Sequence, residues 1–435
     1  GPRTKLIFGN LRDLGTLPHR KLFQLSEQFE NVYNLKLGKW KAVAVNGIQS
    51  CRNILIKNGK VTASRPNFES FKYYSHGRSL SFQPYNDIWL TQRKATSKII
   101  AKLITTGSAL DIAHRQMKGL VDNWSLKVES DMFDAFPDIV EAVGGFIYSL
   151  CYGENEILSA NSEFKKILLD PNPGTDMFAV GNNIDLLPHV FQLFSMKKHQ
   201  KHIDRMNYFL QLHNKMKEKV KHRLIQHRLQ SNEKYFDDVR ANEYNNIPDL
   251  HEDHFLNLPA EFLSAGTETS TAVLLWLLRY VALTPGVQDN VYNELKQYTS
   301  QKSNETTSVE YGDRPHLPYT ESCLLESLRC MAVVPFALPH FTTNDFESDG
   351  LLIKKDTLIL PNLWSVGRDP SVWSEPEKFI PERHLNTVRA KNGGDANFAS
   401  SKSENFYPFG LGKRRCVGEP LGRMLNFILF SNIML

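Results

Sequence analysis

Cysteine is scarce in this chain of 435 residues, which contains only Cys51, Cys151, Cys323, Cys330 and Cys416. No two of them have the spacing of a zinc finger or of a thioredoxin-like redox motif. The sequence therefore does not indicate a disulfide framework, and four of these residues are expected to be reduced thiols in apolar surroundings. The exception is Cys416, which lies among glycines and basic residues.

Long apolar runs are missing too. No stretch approaches the roughly 18 consecutive apolar residues that predict a membrane-spanning helix. The chain begins at Gly1-Pro2 and stops within an apolar helical pattern. We therefore expect a fragment truncated at both ends, which an N-terminal membrane anchor could precede.

The chain also lacks strong charge, repeats and nucleotide loops. Its net charge of +5 is mild and does not indicate nucleic acid as a partner. It has no phosphate-binding glycine loop that would indicate a flavin or nicotinamide site of its own. No repeat or linker divides it, so we predict a single domain over 1–435, with a β-rich part at about 31–60 plus 335–360 and a helical remainder.

What the sequence does contain is mostly helical periodicity. Alternating apolar residues predict a β-hairpin from 32–37 and 41–46. Apolar residues at three- and four-residue steps predict helices over 19–30, 48–58, 89–103, 106–128, 131–152, 159–169, 197–228, 253–284, 287–299 and 315–333. Short strands are predicted at 336–341, 351–354 and 357–360, and irregular segments at 65–84 and 364–384. The predicted fold class is mainly α with small β-sheets.

The run from Phe409 to Gly418 places Cys416 in a tight glycine loop before an apolar helix. Backbone N–H groups, the helix dipole and neighbouring cations are expected to lower the pKa of this thiol. A thiolate in such a place is a nucleophile or a metal ligand. The alternative is a glycine turn with a structural cysteine.

Trp89 and Arg93 stand four residues apart and share one helix face, so together they could present an indole N–H and a guanidinium to one anion. The alternative is a surface cation–π pair. Glu326 and Arg329 stand three residues apart, which is also the spacing of an ordinary surface salt bridge. Taken alone, His340 indicates little.

The longest helical pattern contains Gly266, threonines and a serine near its middle, where they are poor helix formers. Threonine hydroxyls can bond back to preceding carbonyls, and a local opening of the helix would expose polar groups. Glu268 and Thr269 then form an acid–alcohol pair suited to proton delivery. The alternative is a weak, partly solvated helix, and Pro259 could kink the helix or mark its start.

The order of these motifs resembles the cytochrome P-450 family over essentially the whole chain. The resemblance rests on the loop at 409–418, the Trp89/Arg93 helix, the 265–270 segment, the Glu326/Arg329 pair and the coil at 381–383. It implies a helical prism around a buried haem b, with Cys416 as axial iron ligand and a long central helix over the haem.

The resemblance also implies a role for each matching residue. The haem-binding set is Trp89, Arg93, His340, Phe409, Gly412, Arg414 and Gly418, with the glycines letting the backbone pass close to the porphyrin. Glu268 and Thr269 would be the catalytic proton donors. Glu326, Arg329 and Arg383 would form a structural charge triad behind the haem.

The implied activity is mono-oxygenation of a lipophilic substrate by O2, with electrons from NADPH through a separate reductase. Within the family, the chain is similar to the microsomal branch that contains steroid 17-hydroxylase and the aryl-hydrocarbon hydroxylases. This similarity implies a location at the cytosolic face of the endoplasmic reticulum membrane. Lys413 and Arg415 are candidates for contacting the reductase. Alternatives are a haem-thiolate isomerase or dehydratase acting on peroxides, or a non-enzymatic haem or lipid binder.

Two residues depart from the family pattern. His384 stands where phenylalanine usually follows Pro-Glu-Arg, and Gly422 stands where alanine is common. The family also continues well beyond the last residue here, with strands that close the substrate pocket.

Overall fold

A computed structural model of the chain describes residues 1–75, 77–127, 132–153, 183–187, 200, 204, 207–208, 210–211, 214–222, 249–302, 308–385 and 405–435. The predicted helix at 159–169 lies outside these residues. The basic stretch 197–228 is described only in part, including 214–222, which is helical.

Helices dominate the described part of the chain. The α-helices are α1 (Pro18–Phe29), α2 (Ile48–Arg52), α3 (Gly59–Thr62), α4 (Glu69–Ser75), α5 (Asp87–Thr105), α6 (Ser108–Ser125), α7 (Phe136–Tyr152), α8 (Asn183–Leu186), α9 (Asp253–Leu256), α10 (Leu258–Leu283), α11 (Val287–Gln301), α12 (Pro318–Met331), α13 (Leu363–Val366) and α14 (Glu419–Ile433). Short 3-10 turns cover Leu11–Asp13, Tyr311–His316 and Gly412–Arg414, and α2 continues as a π turn over Asn53–Lys57.

The strands are few and short. They are β1 (Val32–Leu37), β2 (Trp40–Val45), β3 (His340–Phe341), β4 (Phe346–Ser348), β5 (Leu351–Ile353) and β6 (Leu358–Pro361). β1 and β2 form the predicted antiparallel hairpin, and β2 pairs in parallel with β6, so that the sheet has the order β1-β2-β6-β3. β4 and β5 form a separate two-stranded sheet. The predicted class, mainly α with small β-sheets, is confirmed.

Several predicted boundaries were wrong, each for a local reason. The pattern 253–284 is two helices, because α10 starts anew at Leu258 with Pro259 in its first turn, where a proline costs no hydrogen bond. The strand predicted at 336–341 is reduced to β3. The segment 65–84 was predicted to be irregular, yet it contains α4.

The long helix α10 organises the largest apolar core and packs against α7, α12 and α14. Gly266 allows the closest approach to α7, because a Cβ there would lie 2.6 Å from Cδ1 of Ile147. This glycine, weak as a helix former, therefore has a packing role.

Among the described residues, no single helix meets the length and hydropathy expected of a membrane span. One bent pair, Asp253–Leu283 with Val287–Gln301, meets them jointly, with 107° between its two parts.

Candidate active site

The cysteine loop is a folded-back turn that ends where α14 begins. The N–H of Cys416 donates to the carbonyl of Phe409 across the turn at 2.9 Å. The ring of Phe409 packs against the large apolar core. The thiol is therefore held at a fixed point next to the first turn of α14, as the sequence predicts.

The glycines of this loop differ in what they do. Gly412 has φ +67°, and a Cβ on it would lie 2.1 Å from the carbonyl oxygen of Leu55 in the π turn. Gly418 has an ordinary φ of −83°, and its Cβ would lie 3.9 Å from Sγ of Cys416. Gly412 thus lets the loop dock on the π turn, a contact that the sequence did not indicate.

The Cys416 side chain is exposed, although most of its neighbours along the loop are partly buried. Although the side chain is accessible to solvent, the protein atoms around the sulfur partly desolvate it. This desolvation raises the pKa of the thiol and outweighs the hydrogen bonds from the N–H groups of Gly418 and Glu419 and the charge of Arg93. The prediction of a lowered pKa was wrong for the protein alone, because desolvation exceeds the effect of the donors. A bound metal ion would reverse this balance, since coordination deprotonates a thiol.

Three guanidinium groups converge beside this loop. Arg414 donates to the carbonyls of Ala63 (2.7 Å), Leu80 (3.3 Å) and Gln83 (2.7 Å). Arg93 donates to the carbonyl of Arg415.

Arg65, the third guanidinium, donates to three other backbone carbonyls, at 2.9 to 3.0 Å. Within the described ranges, every hydrogen bond of the three groups ends on a carbonyl oxygen and none on a carboxylate.

Burial lowers the pKa of all three arginines, and the charge of Arg93 lowers that of Arg65 and of Arg414 further. A cluster of one buried and two half-buried cations without a carboxylate is costly unless an anion neutralises it. Arg65 was not among the predicted site residues. The sequence contains little indication of its role, because the only local feature that distinguishes Arg65 is the proline that follows it.

Trp89 and His340 complete the cluster, and a ring nitrogen of each is already hydrogen-bonded to a backbone carbonyl. The indole N–H of Trp89 donates to the carbonyl of Leu80 at 2.9 Å, while the guanidinium carbons of Arg414 and Arg93 lie 4.0 and 5.4 Å from its ring centroid. The cation–π contact of the Trp89/Arg93 pair is present, but Trp89 is buried, so the pair is not the surface pair of the alternative interpretation. The indole N–H could donate to an anion only by leaving the carbonyl of Leu80.

His340 is buried, and burial lowers its pKa well below the usual range. Its Nδ1 lies 2.8 Å from the carbonyl of Thr62, so Nδ1 carries the proton. Nε2 can then donate to a carboxylate only in the imidazolium form, which a nearby anion would favour.

Glu268 and Thr269 lie in the middle of α10. Thr269 donates its hydroxyl to the carbonyl of Ala265 at 2.7 Å. The helix stays continuous from Leu258 to Leu283, so the expected local opening is not found. Ala265 and Glu268 are nevertheless exposed, although this helix is largely buried.

The cysteine loop and α10 meet in one small apolar cluster. Val417 and Phe262 both pack against the cluster formed by Leu80, Trp89 and Leu258. The residue after Cys416 is thus in the same cluster as the helix that carries Glu268 and Thr269. The cysteine loop and part of the cation cluster therefore lie next to the first turns of α10, and Glu268 and Thr269 follow about two turns further along this helix.

The predicted charge triad is formed, and it has a fourth member. Glu326 makes two bonds of 2.8 Å to Arg329 and one of 3.2 Å to Arg383. His384 adds a contact of 3.0 Å from Nε2. Burial alone would raise the pKa of Glu326, but the hydrogen bonds from Arg329 and His384 and the charge of Arg329 lower it to about 2.

Comparison with known proteins decides the family. The family model described as Cytochrome P450 matches residues 1–435. The chain belongs to the cytochrome P450 family. The resemblance inferred from the motifs is confirmed.

The similar proteins are cytochromes P450 along most of their length. The chain is 28% identical to cytochrome P450 1A1 of Sparus aurata, with 99% of this chain and 83% of that protein covered. It is 30% identical to cytochrome P450 2U1 of Rattus norvegicus, with 96% and 76% covered. A zebrafish cytochrome P450 structure with progesterone has a TM-score of 0.76 at 24% identity, covering 96% of this chain and 91% of that one.

As a cytochrome P450, the protein is an oxidoreductase that binds haem through a cysteine thiolate and acts as a mono-oxygenase. The predictions of enzyme class and cofactor are confirmed. The residues around Cys416 suit such a group, because a haem carries two carboxylates as well as an iron. An exposed thiol lies beside cations whose hydrogen bonds reach no carboxylate in the described ranges.

Proposed function

We propose that Cys416 is the thiolate ligand of the haem iron and that the protein oxygenates a lipophilic substrate with electrons from NADPH. The observation that carries this assignment is the exposed thiol of Cys416 next to three guanidinium groups, of which that of Arg65 is buried and those of Arg93 and Arg414 are half-buried. Haem held by a thiolate supplies the activation of O2.

The cation cluster is the proposed binding site for the haem carboxylates. Arg93, Arg414 and Arg65 provide charge, and Trp89 and His340 provide ring N–H donors. Because guanidinium groups bind carboxylates in a planar, two-point geometry, a carboxylate can replace the backbone carbonyls that these groups now contact. Phe409 would pack beside the sulfur.

Glu268 and Thr269 are the proposed proton donors. The exposed carboxyl of Glu268 can exchange protons with solvent, and the Thr269 oxygen retains a lone pair after donating to Ala265. The two residues could therefore pass a proton from water towards the reacting atoms.

The substrate class follows from the proposed walls. These are 65–84, 262–269 and 334–338, which carry mainly apolar and small side chains. The proposed wall at 170–195 lies largely outside the described residues. We propose a steroid-like or aromatic substrate, and the progesterone named for one similar structure is a sensible first compound to try.

The proposed electron donor is an NADPH-dependent flavoprotein reductase, at the cytosolic face of the endoplasmic reticulum membrane. Lys413 is exposed, and the side chain of Arg415, paired with Glu419, is 43% exposed. Replacing Lys413 and Arg415 by glutamate should slow reductase-driven reduction at least tenfold at low ionic strength, because opposite charges steer such encounters. Glutamates at Lys354 and Lys355 are the matched control, and equal rates in both double variants would reject this surface.

The ligand assignment is tested by reducing the purified holoprotein under carbon monoxide. Thiolate ligation should give a strongly red-shifted Soret band in the wild type and in Cys151→Ala. In Cys416→Ser the band should be lost, because a hydroxyl is a far weaker donor than a thiolate. A shifted band that persists in Cys416→Ser would show that another group binds the iron. Product formation that needs neither NADPH nor O2 would instead support a peroxide isomerase.

A further inference from the structure

Asp185 is a buried carboxylate that the proposed chemistry does not use, and it is 3% exposed. Its Oδ1 accepts a hydrogen bond from the backbone N–H of Ser70 at 3.0 Å, and its Oδ2 accepts one from the hydroxyl of Ser70 at 2.5 Å. Ser70 is 1% exposed and lies in the first turn of α4. The start of this helix is therefore capped by a side chain that comes 115 positions later in the sequence.

The helix α4 depends on this cap because it has little stability of its own. It contains seven residues, whereas isolated helices shorter than about 12–15 residues are marginal in water. Its ion pair between Lys72 and Glu69 is exposed and adds little. The N–H groups of a first helical turn have no acceptor within the helix, so a buried one needs an acceptor from elsewhere. Removal of the Asp185 carboxylate would take that acceptor away from the N–H of Ser70.

The other side of the contact is joined to the β1–β2 hairpin. The indole N–H of Trp40 donates to the carbonyl of Asp185 at 2.8 Å, and the N–H of Lys39 donates to the carbonyl of Leu186 at 2.9 Å. Gly38 has φ +57°, and a Cβ on it would lie 2.0 Å from the carbonyl oxygen of Leu186. The main chain of α8 is thus held by the hairpin, and the Asp185 side chain reaches α4 from a fixed point.

Apolar packing links this contact to the proposed walls of the substrate space. Leu186 and Phe71 belong to one buried cluster. The same cluster contains Phe336, from the proposed wall at 334–338. The ring of Phe71 also stacks on that of Phe82, with 4.4 Å between the ring centroids. Because α4 lies within another proposed wall, a shift of this helix would move aromatic rings of both walls.

We propose that Asp185 is a positioning residue for the substrate. By capping α4 from a distant part of the sequence, it holds α4 and α8 together as one wall of the substrate space. That this wall faces the substrate rests on the proposed function. The contact between Asp185 and Ser70 does not depend on it.

Hydrogen exchange of the holoprotein, followed by mass spectrometry on a peptide covering 68–75, tests the cap. In Asp185→Ala this peptide should open about tenfold more than in the wild type, or further, because a charge-assisted hydrogen bond is lost. Asp185→Asn should stay within about threefold of the wild type, because asparagine caps helices nearly as well and its Nδ2 can donate to the hydroxyl of Ser70.

Asp111→Ala is the matched control for exchange. It also removes an aspartate from the first turn of a helix, α6, but at an exposed position. Its exchange at 68–75 should equal that of the wild type. If Asp185→Ala does not fold, Ser70→Ala takes its place, since it removes only the hydroxyl, and exchange should then rise about threefold.

The binding of two imidazoles to the haem, followed by the shift of the Soret band, tests the wall. Imidazole is small, whereas 1-tritylimidazole carries three phenyl rings that would extend to the walls. Asp185→Ala should weaken binding of 1-tritylimidazole by about fivefold or more, because apolar contact is lost, and should change that of imidazole by less than about twofold. A residue that only stabilises the fold would alter both affinities alike or neither.

Three outcomes would overturn the proposal: unchanged exchange at 68–75 in Asp185→Ala (or in Ser70→Ala as its substitute), an equal rise in Asp111→Ala, or equal effects on the two imidazoles. None of these measurements needs NADPH, O2 or turnover. The exchange result can therefore contradict the cap while the carbon monoxide test succeeds, and it can support the cap while that test fails.

Discussion

Gly410 and Gly412 lie in the same loop, and both have a positive φ, of +80° and +67°. They differ in what surrounds them. A Cβ at Gly410 would be 4.0 Å from its nearest neighbour, whereas a Cβ at Gly412 would be 2.1 Å from the Leu55 carbonyl oxygen. The first position requires only a left-handed backbone, and the second also requires close contact with another main chain.

This difference predicts unequal effects of alanine. Gly410→Ala should lower the free energy of unfolding by about 1–2 kcal/mol, the cost of a left-handed L-residue. Gly412→Ala should lower the free energy of unfolding by clearly more than this and should also reduce the haem content. The reason is that the backbone of Leu55 cannot move away from the new Cβ as a flexible side chain could. Urea unfolding and the haem-to-protein ratio measure both. Equal losses in the two variants would show that the contact with Leu55 is unimportant.

At the scale of elements, the carboxylate of Glu326 joins α12 to the coil at 364–384, in addition to the bonds from Arg329 to the carbonyls of Gly367 and Pro376. Glu326 binds Arg329 on its own helix, Arg383 and His384 in the coil, and the N–H of Ile380 at 2.9 Å. The sequence identified three of these residues as a family motif. It could not indicate His384, because the histidine is a departure from that motif and its contact depends on how the coil folds.

Glu326→Gln should lower the free energy of unfolding by about 3–5 kcal/mol at pH 7, because it leaves buried arginines without their counter-charge. Urea unfolding of the holoprotein measures this, and the exposed neighbour Glu382→Gln should change it by less than about 0.5 kcal/mol. A similar small loss in both would contradict a role for the buried charge.

The difference in unfolding free energy between the wild type and Glu326→Gln should depend on pH. The pKa of Glu326 is lowered to about 2 from its ordinary value of about 4.5, so its stabilisation is present above pH 4.5 and is lost as the pH falls towards 2. The stability difference between wild type and Glu326→Gln should therefore shrink over that window. A difference that stays constant down to pH 3 would mean that the carboxylate charge is not what stabilises the fold.

At the scale of the whole molecule, the cation cluster beside Cys416 is expected to link haem binding to stability. Arg414 lies in the loop at 409–418 and Arg65 lies in the N-terminal part of the chain. We expect both to bind the carboxylates of haem. In Arg414→Met, the gain in unfolding free energy on adding haem to the apoprotein should be smaller than in the wild type by about 1.5–3 kcal/mol, the value of a charged hydrogen bond. Urea midpoints with and without haem measure it. Arg12→Met, at an exposed site, should leave the gain unchanged, and an unchanged gain in Arg414→Met would exclude a contact with haem.

Sequence reasoning therefore reached the family, the fold class and most of the residues that come together here. It succeeded where a motif is local, as in 409–418 or in Glu326 and Arg329. It failed where the determinant is a contact between distant segments, as for Arg65 with the carbonyls of Leu338 and Pro339. It also failed on the Cys416 pKa, because desolvation depends on packing.

The parallel pairing of β2 with β6 has a consequence for biosynthesis. The N–H of Gly47, just after β2, bonds to the hydroxyl of Ser365 across 318 positions of sequence. At a synthesis rate of about 5–20 residues per second, the β2 edge waits roughly 15–60 s for its partner strand. An apolar edge left open that long is prone to pair with other chains, so the nascent protein is expected to need a chaperone until β6 has been made.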